Sequence, residues 1–269
     1  MVLQLQVFHK QLYSFDTTSI GCYIYRCSAY RWQFSTQGAR KVTVIQKGIK
    51  ITALICVLNE EKNLPYVLPK IPDWIDEVLL VDGHSVDKTI DVARSLRPGI
   101  RVLTQPGRGK GDALKYGFQN AKGDIIVTLD ADGNTDPNDL PKFIDALLAG
   151  NDFAKGSRFL EGYPPKMPMH RRLGNWVLVT TSNVLFRTHY TDICSGYNGF
   201  WKKSFEKVKL VNDGFEMEQE MNVKIRKAGL KIIEISCQDK GRLGGQSKVS
   251  TFKQGWKDLM IIIGERFHA

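Results

Sequence analysis

Two aspartates separated by one small residue, Asp130 and Asp132, are the strongest candidates for chemistry in the chain. They follow the short apolar run 125–129, which predicts a strand buried on both faces. In an extended backbone the two side chains project to one side, where two hard oxygen ligands can hold a divalent cation against a diphosphate. The alternative is a polar turn without a metal, in which Asp136 caps a helix beginning at Pro137, although this cap and a metal site can also occur together.

Two further carboxylates fall at the ends of predicted strands. Glu60 follows the apolar run 51–58, and Asp82 ends the run 77–81. Short apolar runs alternate with helical patterns throughout 49–149, which is typical of a parallel sheet with right-handed crossovers. Because open α/β sheets bind their ligands at the carboxyl ends of the strands, we expect all of these carboxylates to share one edge.

A glycine-rich segment, 105–111, precedes a helix predicted over 112–121. It is not a P-loop, because no Gly-Lys-Ser/Thr closes it, and it is not the dinucleotide fingerprint, whose third glycine is replaced by Asp112. The segment carries Arg108 and Lys110 beside a helix start, an arrangement that suits an anionic ligand. A flexible surface turn without a ligand explains the same residues equally well.

The second half of the chain alternates less regularly. Its apolar patterns predict a strand over 152–156, a helix over 171–187, a strand over 231–235 and an amphipathic helix over 252–267. The proline-rich loop 162–168 is of the kind that forms lids or binding loops. Glu216, Glu218 and Glu220 open a further helix, where acidic residues in the first turn also stabilise the helix dipole.

Composition and charge limit the class of protein. The 269 residues are 42% hydrophobic and contain no apolar run near the roughly 20 residues that span a bilayer. We therefore expect a globular, cytoplasmic protein without a transmembrane segment or signal peptide. The five scattered cysteines predict free thiols. Residues 1–50 hold +6 of the net charge of +10, which leaves peripheral contact with the cytoplasmic face of an anionic membrane open.

The hydrophobic pattern also suggests where the folded domain begins. Residues 1–48 show no clean period, whereas regular alternation starts at residue 49. We interpret 1–48 as an N-terminal extension of unknown role and poor order, and 49–269 as a single α/β domain. An additional hairpin, a membrane-surface arm, or sequence upstream of the true start would also explain the extension.

Taken in chain order, the motifs resemble those of the family 2 glycosyltransferases with the GT-A fold, and most of all the dolichyl-phosphate mannose and polyprenyl-phosphate hexose synthases. The segments that carry the resemblance are Asn59-Glu60-Glu61, Asp82 through Asp87, Asp130-Ala131-Asp132, Gly156-Ser157-Arg158, Asp192 with Ser195-Gly196, Glu218 with Glu220, and Arg242 with Ser247-Lys248. The sequence departs from the family pattern at Cys56-Val57, where a proline is common, and at Gly83-His84, which replace Asp-Gly. The second departure bears on nucleotide specificity.

The resemblance covers about residues 50–267 and implies a Rossmann-like, mostly parallel sheet flanked by helices. It implies an inverting transfer of a hexose from a nucleotide sugar, of the GDP-mannose or UDP-glucose type, to a polyprenyl or dolichyl phosphate. The residues that it implies for donor binding are Asn59, Glu60, Asp82, Lys110, Asp130 and Arg158. Those implied for acceptor phosphate binding are Arg158, Arg242, Ser247 and Lys248.

The resemblance also implies a metal cofactor and a set of catalytic residues. Mg²⁺ or Mn²⁺ would be held by Asp130, Asp132 and Asn134, and would stabilise the departing nucleoside diphosphate. The catalytic candidates are Asp132, Glu218, Asp192 and Arg242.

The acceptor decides whether catalysis needs a base. A hydroxyl must lose a proton, for which Glu218 or Asp192 would serve as general base. A phosphomonoester, whose second pKa is about 6, is already anionic near neutral pH and needs cationic recognition instead. A lone arginine at these positions is otherwise a solvated surface cation. Transfer to a sugar or small-molecule hydroxyl is therefore the alternative function.

Two other classes of protein fit the sequence less well. A sugar-nucleotide-binding module without turnover would lose a metal ligand, and both aspartates of the metal motif are present here. Nucleic acid is not an expected partner, because residues 51–269 carry only +4 of the charge and no RNA-binding signature.

Overall fold

The computed structural model describes residues 14–15, 22–23, 48–162, 164, 167–237, 241, 244 and 251–267. The chain divides into two compact units, residues 1–49 and 50–269. In the first unit, strands β1 (Ser14–Phe15) and β2 (Cys22–Tyr23) pair antiparallel. The expectation that residues 1–48 are poorly ordered otherwise concerns residues outside the described part of the chain.

The second unit contains the remaining strands and helices. Its strands are β3 (Ile51–Val57), β4 (Glu77–Asp82), β5 (Arg101–Thr104), β6 (Ile125–Asp130), β7 (Phe153–Ser157), β8 (Asn198–Trp201) and β9 (Ile232–Ser236). Its α-helices are α1 (Leu64–Val67), α2 (Thr89–Leu96), α3 (Lys110–Asn120), α4 (Leu140–Leu148), α5 (Met169–Phe186), α6 (Lys202–Phe205), α7 (Met217–Lys227) and α8 (Thr251–Gly264). A 3-10 turn at 68–70 follows α1, and another at 137–139 precedes α4.

Strands β3 to β9 form one seven-stranded sheet in the order β5-β4-β3-β6-β8-β7-β9. Strands β5, β4, β3 and β6 run parallel, and β9 runs parallel to β7. Strand β8 alone is reversed, since it pairs antiparallel with both β6 and β7. The sheet is therefore mostly parallel, and the predicted α/β architecture is confirmed.

The apolar runs of the sequence form the interior strands of the sheet. Residues of β3, β4 and β6 are almost all buried, as expected for strands covered on both faces. Helices α3 and α7 pack on the sheet through a core that includes Leu54, Phe118 and Met221. Phe118 meets Phe200 of β8 edge to face, with ring centroids 5.0 Å apart, so the reversed strand is anchored in the same core.

Strand β8 and the short helix α6 were not predicted. Residues 198–201 contain Asn and Gly, which are depleted in strands, and their pairing depends on distant residues. Thr128 of β6 accepts a hydrogen bond from the Asn198 amide at 3.1 Å, and Gly199 leaves room for Phe143, whose nearest atoms would lie 3.3 Å from an added Cβ. The position of β8 is thus specified by tertiary contacts rather than by its own sequence.

Two other expectations can be compared with the structure. Cys56, Cys194 and Cys237 are free thiols, as predicted. Within the described residues, every helix is too short or too polar to cross a bilayer.

Candidate functional site

The carboxyl ends of three neighbouring strands bring the predicted residues together. In the sheet, Val57 of β3 lies opposite Asp82 of β4, and Cys56 lies opposite Asp130 of β6. Asp82 and Asp130 therefore flank the end of β3, from which the chain continues directly into Asn59 and Glu60. This is the shared edge that the alternating sequence pattern predicts.

The Asp82 carboxylate is held by its own loop. It is 2% exposed and accepts hydrogen bonds from the backbone amides of His84 at 3.1 Å and Ser85 at 3.1 and 3.2 Å. Asn59 ties this loop to the end of β3, because its amide donates to the Ser85 hydroxyl at 2.9 Å and its side-chain oxygen accepts from the Val86 amide at 2.8 Å. An ionised carboxylate offers about four acceptor positions, so Asp82 keeps acceptor capacity for a ligand.

Glu60 lies in the segment that follows β3, next to the loop that holds Asp82. Its side chain is 8% exposed and accepts from the Asn63 amide group at 2.5 Å, while its backbone amide donates to the Thr89 hydroxyl at 2.8 Å. Asn63 also donates to the carbonyl of Gly244 at 3.3 Å. The contact places Gly244 beside Glu60. The predicted acceptor residues Arg242, Ser247 and Lys248 flank Gly244 in sequence but lie outside the described residues.

Lys110 is the centre of the site's charge network. Its ammonium lies 2.8 Å from Asp130 Oδ1 and 2.7 Å from Glu218 Oε1, and 5.8 Å from the centroid of the Phe215 ring. Burial acts to lower the pKa of Lys110, but the two carboxylates raise it well above its usual range. Burial likewise acts to raise the pKa of Asp130, whereas the Lys110 ammonium and more distant cations bring it below its usual range. Both groups are therefore charged at neutral pH.

Lys110 was expected in a turn, and the structure places it in the first turn of helix α3. The preceding Gly109 has a φ of +100° and packs against the backbone of Asp213, where an added Cβ would lie 2.3 Å from the Asp213 carbonyl oxygen. The glycine-rich segment thus lets the helix start closely against the loop before α7. That approach allows Lys110 to reach Glu218.

Asp132 sits in a tight turn beyond the end of β6. Asn134 donates to both of its carboxylate oxygens, from the backbone at 3.0 Å and from the side chain at 2.9 Å. In this arrangement Asn134 orients Asp132, and its role as a third metal ligand remains a prediction. Asp136 accepts from the Asn138 amide at 3.2 Å, so the predicted cap at the following turn also forms.

The donor set of the aspartate pair suits a divalent cation that completes its shell from a ligand. In the described part of the chain, His, Cys, Asp and Glu side chains form no group of three that could enclose a metal by themselves. Asp130 and Asp132 supply two hard carboxylates, and diphosphate oxygens and water suit the remaining positions of Mg²⁺ or Mn²⁺. Gly196 keeps space beside Asp130 open, because an added Cβ would lie 2.8 Å from both carboxylate oxygens.

Arg158 and Asp192 form a bidentate ion pair. Arg158 Nε lies 2.6 Å from Asp192 Oδ2 and its Nη2 lies 3.1 Å from Oδ1, while the Cys194 amide also donates to Oδ1 at 3.0 Å. Asp192 is fully buried, and although burial acts to raise its pKa, Arg158 and Lys155 hold the pKa below the usual range. In this environment Asp192 is better suited to orient Arg158 than to accept a proton.

The three glutamates near the start of α7 have different surroundings. Glu218 is 7% exposed and faces Lys110. Glu220 accepts from the amides of Val211 at 2.8 Å and Asn212 at 2.9 Å, so it fixes the preceding loop. Glu216 occupies the N-cap position but makes no side-chain capping hydrogen bond. The contact that orients the Glu218 carboxylate is its ion pair with Lys110.

A buried lysine escaped prediction. Lys155 of β7 is fully buried and donates to the carbonyl of Ser195, next to the Gly196 that packs on Asp130. Burial lowers the pKa of Lys155, while Glu218 and Asp192 act in the opposite direction. A lysine within a strand ordinarily indicates an exposed side chain. The available signal was that its neighbours in β7 are small or apolar.

The chain is similar in sequence to known proteins. The sequence profile described as Glycosyl transferase family 2 matches residues 52–209. Glycosyltransferase AglJ of Haloferax volcanii is 33% identical over 183 residues, which cover 66% of this chain and 60% of AglJ, so the match spans less than two thirds of that relative. An undecaprenyl-phosphate mannosyltransferase of Micrococcus luteus is 28% identical over 217 residues, which cover 75% of this chain and 88% of the relative.

A solved structure shows the same fold. Glucosyl-3-phosphoglycerate synthase from Mycobacterium tuberculosis, in complex with Mn²⁺, UDP-glucose and phosphoglyceric acid, superposes with a TM-score of 0.66. The two chains are 21% identical, and the match covers 81% of this chain and 80% of that one.

Proposed function

Because this chain belongs to glycosyl transferase family 2, we propose that it moves a hexose from a nucleotide sugar to a polyprenyl phosphate, with Mg²⁺ or Mn²⁺ as cofactor. One observation carries the proposal. Lys110 binds Asp130, the first aspartate of the metal motif, and Glu218, in the first turn of α7 in the second half of the chain. A residue implied for the donor and metal thus meets a candidate catalytic residue on one cation.

In the proposed reaction, an acceptor oxygen attacks the anomeric carbon as the bond to the nucleoside diphosphate breaks, with inversion. A divalent cation held by Asp130 and Asp132 would act as a Lewis acid toward the charge on the leaving diphosphate. Asp82 and Glu60 offer carboxylates at the neighbouring strand ends, where they can accept hydrogen bonds from the nucleoside. Lys110 supplies a permanent positive charge beside this edge.

The surroundings of Glu218 bear on the choice between the two acceptor classes. Its Oε1 lies 2.7 Å from the Lys110 ammonium, so this oxygen is engaged in an ion pair rather than open to the proton of an acceptor hydroxyl. A phosphate acceptor needs no base near neutral pH, so the ion pair favours a phosphate. The undecaprenyl-phosphate mannosyltransferase of Micrococcus luteus, by its name, is a protein of that acceptor class.

The alternative acceptor is a sugar or small-molecule hydroxyl. The observation that favours it is that Glu218 lies beside the Asp130 edge with a small remaining exposure of 7%, where it could take a proton from a bound hydroxyl. Asp192 is less suited to this role, because Arg158 and the Cys194 amide occupy its carboxylate.

A donor panel tests the proposed reaction. The full chain is incubated with labelled GDP-mannose or UDP-glucose, polyprenyl phosphate, and Mg²⁺, Mn²⁺ or a chelator. We expect metal-dependent labelling of the lipid phase with one of these donors. No transfer from either donor, or equal transfer in the presence of the chelator, would contradict the proposal in its present form.

A pair of variants tests the acceptor chemistry at saturating donor. With a phosphate acceptor, Arg242→Ala should lower kcat/KM for the acceptor by about 10–150-fold, since it removes a charge-assisted hydrogen bond. Glu218→Gln should then have the smaller effect. With a hydroxyl acceptor the order reverses, because loss of a general base costs about 10²–10⁴-fold. Circular dichroism of both variants shows whether folding is intact.

A further inference from the structure

Helix α5 has an apolar surface on the side that faces away from the core. Its buried residues are Asn175, Leu178 and Ser182. The exposed apolar residues on the opposite side are Met169, Leu173, Trp176, Val177 and Val184. Their spacing of four, three, one and seven residues puts them on one stripe of the helix. A surface helix normally presents polar residues there, so this stripe requires an explanation.

Helix α8 repeats the arrangement. Its buried residues are Asp258 and Ile262, whereas Phe252, Trp256 and Met260 are exposed, as is Phe267 just beyond the helix end. Phe252 is 82% exposed and Trp256 is 64% exposed. These residues recur at intervals of four and seven, again on one side of the helix.

The two stripes adjoin each other. The buried sides of both helices share one core cluster that includes Leu178 and Ile262. At one end His170 of α5 stacks on Phe252 of α8, with ring centroids 6.1 Å apart. At the other end the helices line a hollow of about 410 Å³ formed by Thr180, Thr181, Val184, Leu185, Ile263 and Phe267. We call this continuous apolar surface the α5/α8 face.

The exposed charged residues of the two helices have one sign. Helix α5 contains no acidic residue, and the only acid of α8 is the buried Asp258. The exposed charged residues of the two helices are Arg171, Lys253 and Lys257, and the two lysines adjoin the apolar stripe of α8. A large apolar patch with aromatic residues and a cationic border matches the headgroup region of an anionic bilayer, where tryptophan is enriched.

We propose that the α5/α8 face docks the protein on an anionic lipid surface. A second copy of the chain fits less well, because a two-fold self-contact would bring the cations of one face near those of the other. Monomeric soluble proteins rarely leave such a continuous apolar patch exposed. Anionic headgroups would pair with the lysines, while Trp176 and Trp256 enter the interfacial layer.

The docking face lies beside the proposed site. Gln254 of α8 donates to Glu216 at 3.3 Å, two residues before Glu218. Helix α5 begins after the proline-rich loop that follows Arg158. The use of this face to reach a bilayer-embedded polyprenyl phosphate rests on the proposed function, whereas lipid binding itself does not, so the two can fail separately.

Vesicle co-sedimentation of the full chain, without donor or acceptor, tests the docking surface. The vesicles contain phosphatidylcholine alone or with phosphatidylglycerol, at low and high salt. We expect binding to the anionic vesicles that weakens with salt. The double variant Trp176→Ser and Trp256→Ser should lower the partition coefficient by about 10–100-fold. Tyr66→Ser, an aromatic substitution on α1 at a residue that is 56% exposed, is the matched control and should bind as wild type.

The basic residues 1–50 are present in all of these proteins, so a loss in the double variant reports on the α5/α8 face. Lys253→Gln with Lys257→Gln should reduce the salt dependence of binding. Wild-type vesicle binding by a correctly folded double tryptophan variant would overturn the proposal. So would a wild-type dimer, measured by sedimentation velocity, that the tryptophan substitutions dissociate without affecting vesicle binding.

Discussion

The two halves of the sheet hold their carboxylates in different ways. In the first half, Asp82 and Asp132 are held by amides of residues two or three positions further along the chain. In the second half, Asp192 accepts from the Cys194 amide two residues further along but is also paired with the guanidinium of Arg158, 34 residues away, and Glu218 is paired with Lys110 of the first half. The first arrangement is local and can be recognised in a short motif. The second exists only once the chain has folded.

This difference has an electrostatic consequence. Amides orient a carboxylate and leave acceptor positions on it, so Asp82 and Asp132 can accept from a nucleoside hydroxyl or bind a metal ion. The buried carboxylate of Asp192 is instead neutralised by a guanidinium. Lys110 joins the two arrangements, because it binds Asp130 of the first half and Glu218 of the second.

The largest expected effect separates the two kinds of carboxylate directly. Asp192→Asn should lower the free energy of unfolding by about 3–5 kcal/mol, since it leaves the Arg158 charge without its buried partner. Asp82→Asn, at a similarly buried residue, keeps one side-chain oxygen for the loop amides and should cost only about 1 kcal/mol. Urea unfolding at pH 7 measures both. Equal losses of stability in the two variants would show that a carboxylate paired with a cation contributes no more than one held by amides.

The second prediction concerns the metal motif of the first half. Asp132→Asn should lower transfer activity by about 10²–10³-fold, because a neutral amide of nearly the same shape replaces an anionic ligand. Circular dichroism should be unchanged. Asp73→Asn, at an aspartate whose side chain is fully exposed, provides the control. Near-normal turnover with an unaltered Mg²⁺ or Mn²⁺ titration would remove Asp132 from the metal site.

Asp258 tests how a carboxylate of the second half behaves when burial outweighs the nearby cation Lys257. Burial, with Glu218 and Glu216 nearby, raises its pKa to about 6. The native state therefore binds the proton more tightly than the unfolded state, whose pKa is about 3.9, and stability falls as pH rises from about 4 to 6. Asp258→Asn should remove this loss and stabilise the protein by up to about 3 kcal/mol at pH 8.

The corresponding measurement is urea unfolding of wild type and Asp258→Asn at pH 4, 6 and 8. The gap between the two proteins should be small at pH 4 and greatest at pH 8. Gln254 donates to Asp258 Oδ1 at 2.8 Å, a bond that Asn can retain, so any effect reports on the charge. A gap that is constant with pH would contradict the raised pKa.

The smallest expected effect is that of removing residues 1–48. Both kinds of carboxylate lie in the second compact unit, so the shortened chain should retain transfer activity within about twofold. Its binding to anionic vesicles should weaken through the loss of positive charge. A large drop in soluble transfer activity would show that residues 1–48 form a necessary part of the site.

The contrast between contacts within a short motif and contacts between distant residues also explains how much of the fold and site could be predicted from sequence. Continuous apolar runs specified β3, β4 and β6, and the polar residues at their ends specified the shared edge, because each signal lies within a few residues. The reversed β8 could not be predicted, since Asn198-Gly199 acquires its place from Thr128 and Phe143. The buried side chain of Lys155 likewise follows from strand order, which brings Ser195 over β7.

The roles of the charged motifs were harder to predict than their location. Asp192 and Glu218 both appeared suitable as bases, because a motif does not show which cation will meet each carboxylate after folding. The structure supplies those partners in Arg158 and Lys110. Boundary errors were small by comparison, as when helix α3 begins at Lys110 rather than at Asp112.

The most direct test of the central claim is an acceptor competition in one reaction. The full chain receives a labelled donor identified by the panel, with Mg²⁺, and equal concentrations of polyprenyl phosphate, polyprenol and phosphoglycerate. Mass spectrometry of the lipid and aqueous phases distinguishes the three products. The account predicts that the label appears as a glycosyl polyprenyl phosphate. Label found mainly on polyprenol or on phosphoglycerate would contradict it.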